Sequence, residues 1–361
     1  MTAWSIVGTI SGTSADGIDL AQISTDGQQV LGFGAADTVS YRPDTRTRVL
    51  EAAAKKGAGR EQWPDLARAV TEDHISAITN FLSRENLSPD AIVFHGQTVW
   101  HDPAAGETVQ LGDPHMLANS LGIQVIGDVR LADMAEGGQG APLVPVYHQA
   151  LARSLVGSDK EPMCFLNIGG VSNLTYIDGD DILAFDIGPG NALLDDWVRQ
   201  HGKGNFDARG EISAKGQVAE NRLADALKHP YLSEPGPKSL DRYSFSGAFV
   251  EGLSLEDGAA TLLAFTVRAV SHAETLLPQQ PKSWLICGGG RHNPVLLREL
   301  QEELSGDVVS ADVFKIDGDA LEAQAMAFIG GRLLAGLPAT FPETTGAKRP
   351  VTCGKIYQPG T

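Results

Sequence analysis

The chain has 361 residues, 42% hydrophobic and 6% aromatic, which suits two globular domains and excludes a fibrous or low-complexity polymer. Twenty-eight basic against 45 acidic residues give a formal net charge of −17, which argues against a nucleic-acid or anionic-membrane surface and still permits a local basic site. Three cysteines without a CxxC pair read as buried free thiols, with no zinc set, and the lack of a signal-like or bilayer-length apolar run leads us to expect a cytoplasmic protein.

Residues 1–35 read as hairpin strands with a turn at Asp26-Gly27. Within them, Ile10-Ser-Gly-Thr-Ser-Ala-Asp-Gly-Ile-Asp19 lies between an apolar run, Trp4 to Gly8, and an alternating run, Ile18 to Ile23. A turn of small residues exposes backbone N–H groups and the hydroxyls of Thr13 and Ser14, a concavity suited to phosphate. Asp16 and Asp19 would repel phosphate unless a cation stood between, so the turn also hints at Mg²⁺. Asp16-Gly17 is equally a favoured pair in an ordinary hairpin.

Residues 45–85 read as helical, with Leu66, Val70, Ile75, Ile78 and Leu82 at helical spacing. Ala91 to Phe94 forms a short buried strand ending at His95-Gly-Gln-Thr98; His95, Gln97 and His101 are either sugar or carboxylate contacts or buried groups in a satisfied turn. A helix over Pro114 to Leu121 and a strand over Ile123 to Ile126 continue an α/β alternation. Arg130 follows, and its fork either meets a carboxylate or phosphate or pairs with Asp128 or Asp133. The Gly- and Pro-rich stretch Glu136 to Leu143 is the expected domain boundary, with hinges over 132–141 and near 335–341.

Phe165 to Ile177 repeats the first plan: apolar strand, Gly169-Gly170-Val-Ser172-Asn turn, alternating strand. Two phosphate-type hairpins suggest a duplicated domain with a nucleotide between the copies; neither is a P-loop or a dinucleotide fingerprint. The strand Ile182 to Phe185 runs into Asp186-Ile-Gly-Pro-Gly-Asn191. A carboxylate at a strand's carboxyl end can act as general base or hold a metal, and Gly188 to Gly190 would let another group approach. Alternatively Asp186 caps the helix Ala192 to Val198, although Asn191 is better placed to do so. Residues 200–245 show no period and read as a long active-site region with short helices. Ser254 to Asp257 is a capping-box pattern opening a helix. The strand Trp284 to Cys287 enters Gly288-Gly289-Gly290-Arg-His-Asn293, which either lets adenine lie on the glycines with its ribose at Asn293 or is a flexible connection. In the last helix, Leu321 to Ala335, Glu322 either completes a capping box with Asp319 or brings a carboxylate to Mg²⁺ or the reacting sugar. The tail after Thr340 is expected to pack on the first domain.

The strings at 11–19, 95–99, 110–114, 128–135, 137–145, 167–173, 186–191 and 287–293 together resemble the anhydro-N-acetylmuramic acid kinase family, of the actin/Hsp70/hexokinase superfold. The resemblance covers nearly the whole chain. It implies that the first string binds ATP phosphates, that Asp186 is the general base and that Arg130 helps hold the sugar. It departs at Val129, where Phe is common, and at Trp100, where Arg or Lys is common. The implied fold is α/β: two duplicated actin-like (ribonuclease H-like) domains, residues 1–132 plus 339–361 and residues 133–338, with a nucleotide and sugar cleft between them. The expected ATP site comprises Gly12, Thr13, Ser14, Ala15, Asp16, Gly17, Ile18, Asp19, Gly169, Gly170, Ser172, Gly288, Gly289, Gly290 and Asn293. The expected sugar site comprises Gln97, Arg130, Asp133, Gly188 and Asn191, with Glu322 and Asp16 as Mg²⁺ ligands. The implied reaction has water, activated by Asp186, open the 1,6-anhydro bridge at C1, after which O6 takes the γ-phosphoryl of ATP. The alternatives are a kinase for another anhydro sugar such as levoglucosan and a non-catalytic actin-like nucleotide switch. A homodimer is expected, with no nucleic-acid or membrane partner.

Overall fold

The computed structural model describes residues 2–12, 15–55, 57, 59–155, 161–240, 244–314, 318 and 320–360. The chain opens with three antiparallel strands, β1 (Trp4–Ser11), β2 (Ile18–Thr25) and β3 (Val30–Val39). Helices α1 (Pro43–Ala54) and α2 (Pro64–Glu85) follow; each has proline in its first turn, where the missing N–H costs nothing. Then come β4 (Ala91–Asp102), β5 (Glu107–Leu111), α3 (Pro114–Leu121), β6 (Val125–Gly127), α4 (Leu131–Ala135) and α5 (Pro145–Leu155). Next are β7 (Met163–Ile168), β8 (Val171–Asp178), β9 (Asp181–Pro189), α6 (Ala192–Gln200), α7 (Glu220–Ala226), α8 (Leu255–Glu274), β10 (Ser283–Cys287), α9 (Pro294–Glu303) and β11 (Asp307–Ser310). The chain finishes with α10 (Leu321–Leu334) and β12 (Lys355–Tyr357).

These elements form two compact units, one of residues 1–154 with 319–361 and one of residues 155–318. In the first, the described strands run β12-β6-β4-β1-β2-β3, with β5 paired to β4. In the second the order is β11-β10-β7-β8-β9. Starting from β3 and β9, the pairings are antiparallel, antiparallel, parallel, parallel in both units. The same order and sense, built twice, is the duplicated mixed α/β plan expected from the two hairpins. Helices pack on each sheet: Leu20, Val70, Phe81, Ile92 and Phe94 share one core, and Leu166, Phe185, Trp197, Phe265 and Trp284 another.

The dividing lines expected at 132/133 and 338/339 both fall inside the first unit. Side chains and pairings fasten these stretches there. Asp133 is fully buried and accepts from the Gly140 N–H and the Thr345 hydroxyl, each at 2.7 Å. Tyr147 donates to Gln324 at 2.7 Å, and β12 pairs with β6. The expected hinge glycines are therefore held: a Cβ on Gly138 would fall on the Asp133 carboxylate. At Gly8 a Cβ would fall on the Ala323 carbonyl and the Ala327 N–H, so α10 lies directly on β1.

Candidate active site

In the first unit, the turn from Gly12 to Gly17 joins β1 to β2; Thr13 and Ser14 lie outside the described residues. Ala15 is buried with φ +51, a left-handed conformation that a side chain rarely takes and that the surroundings must enforce. Its N–H donates to the Gly12 carbonyl at 3.0 Å, and its carbonyl accepts from Arg46 Nε at 3.1 Å. Arg46 also pairs with Asp16 at 2.9 Å. Gln97, fully buried, accepts from Ser11 Oγ at 2.7 Å and donates to the Gly12 carbonyl at 3.1 Å. Its amide thus braces the turn, a role that replaces the expected sugar contact. Ile18 is a core residue. Gly17 is required by packing, since a Cβ would meet Thr38 at 2.9 Å.

Asp19 accepts from Thr38 Oγ1 at 2.7 Å. Glu322, in the first turn of α10, has a carboxyl pushed above the usual range first by desolvation and then by the charge of Asp19, with Arg130 opposing. Asp319, the expected capping partner, lies outside the described residues, and Ala320 occupies the cap position without a side-chain bond. Among the described residues no group of three or more His, Cys, Asp or Glu gathers into a metal site. Mg²⁺ in phosphoryl-transfer sites needs only one or two carboxylates, with phosphates and water filling the rest. Glu322 and Asp19 fit that demand; Asp16 pairs with Arg46 through Oδ1 and is otherwise exposed.

Arg130 donates from Nε to His95 Nε2 at 3.0 Å and from Nη1 to the Gly140 carbonyl at 2.6 Å. Desolvation lowers its pKa to about 10 against the opposing fields of Glu322 and Asp133, so it stays charged at neutral pH. It pairs with neither Asp128 nor Asp133 directly; Asp128 receives the Tyr357 hydroxyl. Asp133 spends both carboxylate oxygens on Gly140 and Thr345, so it shapes the loop rather than facing a sugar.

In the second unit, Asp186 lies within β9 rather than at its end, because the strand continues to Pro189. The register slips here: Asn173 faces Asp186 and Ser172 faces Gly188, leaving Ile187 as a bulge. The segment 231–240 wraps the aspartate. The Leu240 N–H donates to Asp186 Oδ2 at 2.8 Å, the Asp186 N–H to the Lys238 carbonyl at 2.9 Å and the Tyr231 hydroxyl to the Asp186 carbonyl at 2.9 Å. Oδ1 makes no hydrogen bond among the described residues. Burial raises the Asp186 pKa to about 6, partly offset by the Leu240 N–H and by Lys238. Lys238 is itself buried, donates to the Tyr231 carbonyl at 2.6 Å and rests over the Tyr231 ring. Its pKa is lowered to about 8, chiefly by desolvation.

The other expected residues of this unit divide between packing and exposure. Gly188 is buried against Leu232, and Gly190 admits the Gly169 carbonyl. The N–H groups of Gly190 and Asn191 donate to the Gly170 and Gly169 carbonyls at 2.9 and 2.7 Å, so the turn after β9 clasps the second hairpin. Asn191 precedes α6 but makes no side-chain cap; its amide donates to the Ile168 carbonyl at 3.2 Å. Ser172 Oγ is buried without a hydrogen-bond partner among the described residues, while Gly170 is exposed. Gly288, with φ +70, and Gly290 are required by close approach to Asn167 and Ile168; Gly289 alone faces open space. Asn293 caps α9 by accepting from the Val295 and Leu296 N–H groups, both at 3.1 Å.

Residues 4–359 match the family model described as anhydro-N-acetylmuramic acid kinase. The chain belongs to the anhydro-N-acetylmuramic acid kinase family. A relative of that name from Rhodospirillum rubrum is 46% identical over 358 residues, 98% of this chain and 94% of its own. Others from Rhodopseudomonas palustris and Methylobacterium nodulans are 47% and 46% identical, each covering 98% of this chain and 99% of its own. In this anhydro-N-acetylmuramic acid kinase family member, three groups that surround Asp186 escaped the sequence: Tyr231, Lys238 and the Leu240 N–H. They lie in an aperiodic stretch, where only a lysine next to Gly-Pro marked anything unusual. No described helix is long and apolar enough to cross a membrane.

Proposed function

We propose that the chain is an ATP-dependent kinase that hydrolytically opens 1,6-anhydro-N-acetylmuramic acid and phosphorylates O6, giving N-acetylmuramic acid 6-phosphate and ADP in cell-wall recycling. Family membership supports the reaction class. The observation that carries the chemistry is Asp186. One of its oxygens is held by a backbone N–H, the other is uncommitted, and its pKa of about 6 suits a base working near neutrality.

In this reading Asp186 Oδ1 takes a proton from water as the water oxygen bonds to C1. The C1–O6 bond breaks, and O6 attacks the γ-phosphorus of ATP as the bond to the ADP oxygen breaks. The hairpin turns at Gly12 to Gly17 and at Gly169 to Ser172 offer N–H groups to the phosphates, and Gly289 offers an open backbone face to the adenosine. Arg130 meets the lactyl carboxylate. Glu322 and Asp19 would hold Mg²⁺, which supplies charge neutralisation on the triphosphate when bound. Phosphoryl transfer relies on positioning and electrostatics, which matches a site built from braced turns.

The test is an ADP-release assay with 1,6-anhydro-N-acetylmuramic acid and levoglucosan side by side. Turnover of the muramic sugar well above levoglucosan supports the reading, and the reverse preference overturns the assigned substrate. Asp186→Asn should lower kcat by ~10²–10⁴ and leave ATP binding intact. Turnover within a few fold of wild type would remove Asp186 as the base.

A further inference from the structure

We infer that His95 is the positioning residue for Arg130: a single imposed tautomer of a buried imidazole fixes the guanidinium so that Nη2 is presented to the substrate's carboxylate. This rests on the reading of Arg130 given above and extends it to a residue that does not touch the sugar.

The argument begins with donors and acceptors. A guanidinium has only N–H donors, so the 3.0 Å contact from Arg130 Nε requires a bare lone pair on His95 Nε2. The proton of the neutral ring is then on Nδ1, which donates to the Gly96 carbonyl at 2.9 Å. Gly96 holds φ +75, and a Cβ there would sit 2.6 Å from the Leu111 carbonyl, so only glycine lets this carbonyl face the ring of the preceding residue. Burial and the adjacent Arg130 both oppose a second proton on the imidazole. His95 is 4% exposed and both its nitrogens are committed, which leaves it no edge for a sugar.

The second anchor is independent of the first. Nη1 donates to the Gly140 carbonyl, and Gly140 is tied through its own N–H to Asp133. Two of three guanidinium nitrogens are thus attached to separate supports, and the plane is set. Nη2 makes no hydrogen bond among the described residues, and Arg130 is partly exposed. An arginine immobilised beforehand spares the ligand the entropic cost of ordering it. A lysine cannot reproduce this, because it lacks the Nε–H that His95 receives.

The experiment compares KM and kcat for 1,6-anhydro-N-acetylmuramic acid and for 1,6-anhydro-N-acetylglucosamine, which lacks the lactyl carboxylate. The variants are Arg130→Ala, Arg130→Lys, His95→Ala, His95→Phe and His95→Gln, with thermal unfolding and ATP binding measured on each. We expect His95→Ala and His95→Phe to raise KM for the lactyl sugar about tenfold, the equivalent of ~1.4 kcal/mol, and to move KM for the other sugar less than about twofold. His95→Gln should restore most of the loss, since its amide can accept from Arg130 and donate to Gly96. In an Arg130→Ala background, His95→Ala should add nothing. Equal effects on both sugars, or additivity with Arg130→Ala, would overturn the positioning role. If Arg130→Ala itself fails to discriminate, the assignment of Arg130 to the carboxylate falls, and the inference with it. Should the His95 variants misfold, ¹⁵N shifts of the wild-type imidazole at pH 7 decide: a protonated Nδ1 and bare Nε2 are expected, and the opposite tautomer excludes the arrangement.

Discussion

Asp186 has a basicity set by three opposed influences. Burial raises its pKa, the Leu240 N–H lowers it, and the charge of Lys238 lowers it further. Removing the Lys238 charge leaves burial less opposed, so the carboxylate must hold its proton to higher pH. Lys238→Met, which keeps the stem over Tyr231, should therefore move the acid limb of the kcat/KM profile upward, whereas Lys238→Arg should leave it near wild type. An acid limb that stays in place or moves down would show that Asp186 does not feel this charge. At this scale the sequence was partly legible. Asp186 drew attention because a Gly-Pro-Gly-Asn turn follows close behind it, and Arg130 because its fork lies beside a glycine-rich loop, although an ion pair with Asp128 or Asp133 was an equal reading. Gln97, Asp133 and Asn293 could not be resolved, because a polar side chain reads alike whether it meets a ligand or a group of the protein itself. Which it meets depends on neighbours such as Ser11, Thr345 and Val295, and those contacts are set only by the fold.

Strands and helices were far more legible, since each carries its own periodicity. The two hairpins, α3, α8, β10 and α10 stand where alternation, caps and glycines predict them. The region 45–85 resolves into α1 and α2, broken around Gly57, Gly59 and Pro64. Short edge strands such as β5 and β11 were missed because four or five residues hold too little pattern. The contact of β1 with α10 could not be read at all, yet it offers a clean test. Gly8→Ala would drive a methyl group into the backbone at Ala323 and Ala327, next to Glu322. Overpacking of this kind costs typically 1–3 kcal/mol, about what urea unfolding should report, and a backbone obstacle yields less readily than a side chain. The variant should also need more Mg²⁺ for half-maximal turnover. Unchanged unfolding would mean that α10 can slide away from the strand without cost.

For the whole molecule, acid sensitivity should be unequal. His74, His95 and His148 are buried in the first unit with pKa values lowered to about 4, 3 and 3 from an ordinary 6.5. Below pH 6.5 the unfolded chain takes up protons that the folded unit refuses, so stability present above that pH is lost as pH falls toward 3–4. Each such histidine can remove up to about 1.4 kcal/mol per pH unit in that window. Asp186 in the second unit acts with the opposite sign, because its folded pKa is raised and folding gains from protonation as pH falls through 6. Hydrogen exchange at pH 7.5 and pH 5, corrected for intrinsic rates, should show protection in β1 and β4 falling more than in β7 and β10. Equal losses would show that the buried histidines do not govern acid stability. The discontinuity of the first unit also bears on synthesis. Residues 155–318 are contiguous and can fold as soon as they leave the ribosome, while the earlier sheet must wait for α10 to cover β1 and for β12 to pair with β6. The half of the protein that is translated first is thus the half completed last. In the interval the bare face of its sheet, including Ile6 and Val93 beside the place of Gly330, is an exposed apolar surface that nascent-chain chaperones would recognise.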